Sequence, residues 1–67
     1  MNIPPKISLA AVRVNANKTQ TEVANAIGVS KTTIVNWENY KTTPSYEAVA
    51  KLEKLYAYPF DFVRIVP

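Results

Sequence analysis

The sequence predicts a small all-α domain of four to five helices, and three observations carry this prediction. Apolar residues recur at helical spacing in several short segments of the chain. Gly28, the only glycine among 67 residues, falls between two of these segments, where a helix commonly ends in the left-handed region. Thr19-Gln20-Thr21-Glu22 precedes the first of the two and matches a helix-capping box. These features are typical of short helices joined by tight turns.

The composition indicates one domain spanning residues 1–67 that depends on its apolar core. The chain has no cysteine and no histidine, so disulfides and the usual zinc sites are excluded. An apolar fraction of 48% is enough for a helical core and argues against disorder. Without His, Cys or a Gly-rich phosphate loop, the sequence predicts neither an enzyme nor a cofactor or metal site.

The charge and the terminal sequences limit where the chain acts. A net charge of +3 and a pI near 9.4 are compatible with an anionic partner without identifying one. No apolar run reaches the length of a membrane span, and the first residues lack the layout of a signal peptide. We therefore expect a cytoplasmic protein with no membrane partner.

The first helix is predicted from the apolar residues Leu9, Val12 and Ala16, with Ile7 opening the run. The Pro4-Pro5 pair should hold the preceding residues extended. Either Ser8 or the Pro5-Lys6 step can start the helix, and the sequence does not separate the two. The helix is expected to end near Asn17.

Residues 19–39 are predicted to form two helices at a large angle. Thr19 and Glu22 cap the first helix reciprocally, and Gly28 ends it. Ser30 then caps a second helix that runs through Asn39, in which Ile34 and Trp37 face the core. Trp37 is therefore interpreted as a core residue rather than a base-stacking one. The same turn chemistry fits a helix-turn-helix or an ordinary corner between two helices.

A fourth helix is predicted to open at Thr43-Pro44-Ser45, with proline at its first helical position. Its inward stripe is Ala48, Val49, Leu52, Leu55 and Tyr56. A last helical turn, Phe60 to Val63, should then close the core. The C-terminal tail, 64–67, has a strand-like composition but is too short to stand alone.

The string Q-x-x-x-A-x-x-x-G-V-S-x-x-x-I-x-x-W-E-N, from Gln20 to Asn39, resembles the phage-repressor and Cro-like helix-turn-helix family. The resemblance extends from about Ser8 to Val63 and implies a lambda-repressor-like fold. It also implies a sequence-specific regulator of transcription, a Cro-like phage repressor that binds double-stranded DNA. Such a protein would act as a homodimer, at least on DNA, on a two-fold symmetric operator. No small-molecule ligand is expected.

Two further positions are interpreted through this resemblance. Arg13 and Glu38 match positions where the family often has a partly buried ion pair. Tyr40 departs from the family, which usually has glycine at the end of the recognition helix. Either Asn39 or Tyr40 must then adopt the left-handed conformation.

The predicted DNA contacts follow from the direction of the second helix of the helix-turn-helix. At 100° per residue, Ile34 and Trp37 point inward, so the opposite face points outward. Four residues on that face or its flank are expected to contact bases in the major groove: Lys31, Thr32, Val35 and Asn36. Seven others are expected to contact phosphates: Lys18, Gln20, Ser30, Thr33, Asn39, Lys41 and Thr42.

The dimer is expected to form either through the C-terminal region or only on DNA, and the candidate residues of that region are Tyr58, Phe60, Phe62, Ile65 and Val66. An alternative function is an antitoxin or adaptor that uses this fold mainly to bind another protein. A nonspecific nucleic-acid binder is a third possibility, although a charge-driven binder would concentrate lysines where this chain has Thr, Val and Asn.

Overall fold

A computed structural model of the chain describes residues 6–66. It is mostly helical, which confirms the predicted fold class. Four α-helices follow one another along the chain: α1 (Leu9–Asn15), α2 (Gln20–Ile27), α3 (Lys31–Glu38) and α4 (Tyr46–Tyr56). A short 3₁₀ turn, Phe60–Phe62, comes after them. The all-α prediction missed one feature, a parallel pair of two-residue strands, β1 (Ile7–Ser8) and β2 (Val63–Arg64).

The start of α1 is decided by Ser8. Its side chain accepts a hydrogen bond from the backbone N–H of Ala11 at 3.0 Å, so Ser8 is the N-cap. Ile7, which opens the apolar run of helical spacing, lies in β1, paired with Val63. The helix ends at Asn15, and Asn17 takes the left-handed conformation with φ of 59°. The expected extension at Pro4-Pro5 lies outside the described residues.

The turn between α2 and α3 has the predicted chemistry. The Glu22 N–H donates to Thr19 Oγ1 at 3.1 Å, and the Thr19 N–H donates to Glu22 Oε1 at 2.8 Å. Gly28 is left-handed with φ of 78°. Ser30 then caps α3, accepting from the Thr33 N–H at 3.1 Å. The local sequence thus indicates correctly how α2 begins and ends and how α3 begins.

The core draws on all four helices and on the residues after them. Trp37 and Ile34, 8% and 2% exposed, are the buried residues of α3, as the inward-facing prediction required. The other buried hydrophobic residues that form the core are Leu9, Val12, Val23, Ala24, Ile27, Ala48, Leu52, Phe60 and Val63. The packing fixes which face of α3 is left outside.

The start of α4 differs from the prediction. Ser45 is the N-cap, accepting from the Ala48 N–H at 3.1 Å, and the helix begins at Tyr46. Pro44 lies before the cap and is buried, so it is not the first helical residue. At the other end, Ala57 is left-handed with φ of 51°.

The C-terminal residues return to the start of the domain. Phe60–Phe62 forms the expected last turn, but Val63 leaves it and pairs with Ile7 in parallel, followed by Arg64 with Ser8. Two-residue strands cannot stand alone, and here each finds its partner at the opposite end of the described chain. None of the helices within residues 6–66 combines the length and the hydrophobicity of a membrane span.

Candidate DNA-binding surface

The outward face of α3 carries the residues that the sequence predicted to contact bases. Lys31 and Thr32 are exposed in the first turn, and Val35 and Asn36 are partly exposed one turn later. Because Ile34 and Trp37 are buried beneath them, these four side chains share the open side of the helix. The face combines one cation, one hydroxyl, one apolar group and one amide.

The N-terminus of α3 is organised by two hydroxyl groups. Ser30 Oγ lies 2.9 Å from Thr33 Oγ1 and also accepts from the Thr33 N–H. Whichever hydroxyl donates within this pair, one O–H hydrogen remains outside it. Ser30 is exposed and Thr33 partly exposed, so this proton can be offered to an incoming phosphate oxygen.

Arg13 and Glu38 form an ion pair between α1 and α3. Arg13 Nε donates to Glu38 Oε2 at 2.6 Å, and Arg13 Nη2 donates to Oε1 at 3.1 Å. The two side chains are only 14% and 8% exposed. The hydrogen bond to Glu38, against partial desolvation, raises the pKa of Arg13 above its usual value. Arg13 is thus a structural cation whose charge is matched within the fold.

The same ion pair binds two neighbouring elements. Arg13 Nη1 donates to the backbone carbonyl of Lys18 at 2.9 Å, in the turn before α2. Gln20 Nε2 donates to Glu38 Oε1 at 3.1 Å. Three helices therefore meet at one carboxylate, which fixes α3 relative to α1 and α2.

This arrangement changes the expected part played by Gln20. One amide N–H of its side chain is committed to Glu38, so only the second remains for a phosphate. Gln20 is also the first residue of α2, where backbone N–H groups lack helical partners. The sequence could not show the Glu38 contact, because the two residues are joined only by the packing of α2 on α3.

The turn after α3 settles the alternative left open at Asn39 and Tyr40. Asn39 has φ of −91°, whereas Tyr40 is left-handed with φ of 60°. The Tyr40 N–H donates to the Trp37 carbonyl at 3.1 Å, and the Lys41 N–H donates to the Asn36 carbonyl at 2.9 Å. These two bonds form a Schellman motif, which normally favours glycine at the position of Tyr40.

Tyr40 is covered by a residue from the far end of the domain. The guanidinium carbon of Arg64 lies 4.9 Å from the centroid of the Tyr40 ring. Arg64 Nε also donates to the Tyr40 hydroxyl at 3.4 Å. No local pattern in the sequence connects the two residues.

The remaining phosphate candidates surround α3. Lys41, Thr42 and Asn39 are exposed beyond its C-terminal end, and Lys18 is partly exposed in the turn before α2. Together with Lys31, the two lysines at positions 18 and 41 distribute positive charge over both ends of the helix-turn-helix. This distribution suits a polyanion that passes along the face.

The candidate dimer residues separate into three groups. Phe60 is only 8% exposed and belongs to the core, so its assignment to the interface was wrong. Tyr58 and Ile65 are partly buried against the core, whereas Phe62 and Val66 are 50% and 51% exposed. The interface candidates among the exposed residues are thus the last two.

Sequence analysis missed one exposed aromatic residue, Tyr46, which is 95% exposed at the start of α4. It borders a groove of about 330 Å³ lined also by Val49, Ala50 and Ile65. The helical spacing could have predicted this exposure, since Tyr46 lies two residues, or about 200°, from the buried Ala48.

Comparison with known proteins agrees with this geometry. The family model described as helix-turn-helix matches residues 9–63. A curated relative, the cryptic phage CTXphi transcriptional repressor RstR of Vibrio cholerae, is 44% identical over 48 residues. That match covers 72% of this chain and 43% of the relative, so the chain spans less than half the relative's length. No solved structure matches significantly. The chain belongs to the Cro-like helix-turn-helix family, as the string from Gln20 to Asn39 indicated.

Proposed function

We propose that the protein is a transcriptional repressor of the phage type that binds double-stranded DNA sequence-specifically. The observation that carries this proposal is the outward face of α3, which is left open by a helix-turn-helix whose other side is buried. Membership of the helix-turn-helix family and likeness to a protein named as a phage repressor support it. In this geometry the second helix enters the major groove with its N-terminal half against the base edges.

The base contacts are assigned by chemistry. The Asn36 amide can donate to and accept from adenine, while Val35 can rest on a thymine methyl group. Thr32 offers both a methyl group and a hydroxyl. These preferences favour A·T pairs beneath the middle of α3. Lys31, at the flank, can reach guanine or a phosphate.

The phosphate contacts position the helix without reading sequence. Lys41 and Thr42 follow the C-terminal end of α3, and Ser30 and Thr33 lie at its N-terminal end. These four residues contact the DNA backbone on the two sides of the groove. Further phosphate contacts come from Lys18, Asn39 and the first turn of α2, including Gln20.

We propose further that the protein binds as a homodimer to two half-sites about one helical turn apart. A module of this size has limited contact area on DNA, and pairing two modules doubles it. Phe62 and Val66 are the exposed apolar residues nearest the C-terminal end of the described chain, and Tyr46 adds a third. Burial of these side chains against a second copy would supply the apolar part of the interface.

The first test is selection of bound duplexes from a random DNA pool at physiological salt, followed by sequencing. A two-fold symmetric motif with half-sites near one turn apart is the expected result. An enriched motif without symmetry would refute the dimer and leave the DNA-binding function intact. No enrichment would refute the function itself and direct attention to a protein partner.

The dimer is tested separately with the variant Phe62→Ser. Sedimentation on a selected duplex should show two copies bound by the wild type and a reduced second binding step for the variant. Val14→Ser is the control, because it removes an exposed apolar side chain of α1, outside the C-terminal region. An unchanged stoichiometry and affinity for Phe62→Ser would rule out this interface.

A further inference from the structure

We infer that Tyr40 and Arg64 are positioning residues for DNA binding. Their contact clasps the turn that follows the recognition helix and ties it to the C-terminal segment. The inference rests on the proposed function and extends it to two residues outside the base and phosphate contacts. We call this contact the Tyr40–Arg64 clasp.

The turn after α3 has a backbone conformation that is unfavourable for the residue it contains, Tyr40. Tyr40 is left-handed with φ of 60°, a region that disfavours side chains with a Cβ atom. The turn is held by the Tyr40 and Lys41 N–H groups, which donate to carbonyls in the last turn of α3. A tyrosine at this position makes the turn less stable than a glycine would. The free-energy difference between the closed turn and an open form, in which these two hydrogen bonds are broken, is therefore smaller.

The contact with Arg64 offsets the weakness of the turn at Tyr40. Its guanidinium lies over the Tyr40 face, with the carbon 4.9 Å from the centroid, the arrangement of a cation–π contact. The backbone of Arg64 is held by pairing of β2 with β1, opposite Ser8. The cation is therefore presented by a fixed strand rather than a free tail, which lowers the entropy lost on contact.

The turn matters for binding because the residues that follow it are phosphate candidates. Lys41 and Thr42 leave the turn directly, and Asn36 supplies the carbonyl that anchors it. Opening the turn would displace these groups from the DNA backbone. The apparent affinity then falls in proportion to the fraction of molecules in which the turn is closed.

The clasp also connects two parts of the proposed function. Val66, a candidate for the dimer interface, lies two residues after Arg64. Contacts that hold this segment in a dimer would further stabilise the strand that carries Arg64, and so favour the closed turn. Dimerisation and DNA binding would be coupled through one side chain.

A double-mutant cycle on the selected duplex tests the clasp. Arg64→Gln removes a positive charge as well as the clasp, so it is measured in the wild type and in Tyr40→Gly. Tyr40→Gly removes the ring and also the conformational penalty, so its turn no longer needs Arg64. We expect Arg64→Gln to weaken binding about two- to fivefold more in the wild type than in Tyr40→Gly. Tyr40→Phe keeps the aromatic ring, so Arg64→Gln should weaken binding in the Tyr40→Phe background by the same factor as in the wild type.

Hydrogen exchange of the Lys41 amide gives a readout without DNA. Arg64→Gln should accelerate this exchange and leave the buried amide of Leu52 unchanged, which separates an open turn from a destabilised fold. Equal effects of Arg64→Gln in both backgrounds, or an unchanged Lys41 amide, would overturn the clasp. Absence of any selected duplex would refute the proposed function instead, and with it the positioning role. The two failures are thus told apart.

Discussion

Arg13 and Glu38 join the first and third helices through two hydrogen bonds of 2.6 and 3.1 Å, with both side chains largely removed from solvent. The pair is bidentate, the geometry in which a guanidinium and a carboxylate interact most strongly. Gln20 donates to the same carboxylate and adds the second helix. The orientation of α3 thus depends on one shared anion.

We expect Arg13→Ala to destabilise the fold by about 3 kcal/mol, because it leaves the Glu38 carboxylate nearly buried without its cation. The free energy of unfolding in urea, measured at pH 7, gives the value directly. A loss below about 1 kcal/mol would place the pair among ordinary surface contacts.

The double variant Arg13→Met with Glu38→Leu is the matched control. It replaces both charges with apolar groups of similar length, so no unpaired charge stays buried. We expect it to be more stable than Arg13→Ala alone. If the double variant were the less stable one, the cost would lie in lost packing and not in the orphaned carboxylate.

Two opposite glycine and alanine exchanges should change stability in opposite directions. Gly28 and Ala57 are both left-handed at helix ends, with φ of 78° and 51°. Gly28→Ala should cost about 1 kcal/mol although a Cβ atom there would meet no atom within 4 Å. Ala57→Gly should stabilise by about 1 kcal/mol. Thermal unfolding of both variants against the wild type tests the pair, and shifts of the same sign would contradict it.

The stability should fall between pH 10 and 12 because of Tyr56. Burial, with a further contribution from Glu38, raises the pKa of Tyr56 to about 12, while Arg13 opposes the change. An unfolded tyrosine loses its proton near pH 10, at about its ordinary value. Over that interval the native state binds more protons than the unfolded one, so stability decreases as pH rises.

We expect this decrease to be about 1 kcal/mol, since the half-buried ring is screened by solvent. Urea unfolding at pH 9 and pH 11.5 measures it, and Tyr56→Phe is the control because lysines titrate equally in both proteins. The variant should lose less stability than the wild type over the same interval. Parallel losses in the two proteins would remove Tyr56 as the cause.

Lys41 and Asn36 should differ in how their loss affects DNA binding. Lys41→Ala should weaken binding to all sequences about equally and lower the salt slope by about one. Asn36→Ala should cost about 1–3 kcal/mol on the selected site and relax the preference at one base pair. Binding titrations at several salt concentrations, on selected and altered duplexes, separate the two effects.

Lys54→Ala, on α4, is the control for the lost charge. It removes the same charge as Lys41→Ala from an exposed position outside the candidate surface. If Lys41→Ala changed the base preference and left the salt slope unchanged, Lys41 would be assigned to a base contact and not to a phosphate contact.

The parts of the fold that sequence analysis predicts well are those decided by neighbouring residues. The bonds between Thr19 and Glu22 span three residues, and the left-handed turn at Gly28 depends on that residue alone. The burial of Ile34 and Trp37 follows from their spacing within one helix. Local signals of this kind are therefore sufficient to predict α2, α3 and the outward face of α3.

Three interpretations change because distant parts of the chain meet. Ile7 resembles a helical residue because its strand partner, Val63, lies at the other end of the domain. Phe60 is expected both in the turn that closes the core and at the interface, and only the packing shows that its ring is buried. The engagement of Gln20 by Glu38 likewise depends on the packing between helices. In each case a tertiary contact overrides a reasonable local interpretation.

The pairing of Ile7 with Val63 has a consequence for the order of folding. It closes a loop that contains every helix, whereas the helices themselves pack against near neighbours in the chain. Closing so long a loop is entropically unfavourable, and two residues per strand return few bonds. The sheet is therefore expected to form late in folding, when Val63 takes its buried place in the core. The helices can pack before the two ends of the domain join, and the strand pair completes the fold.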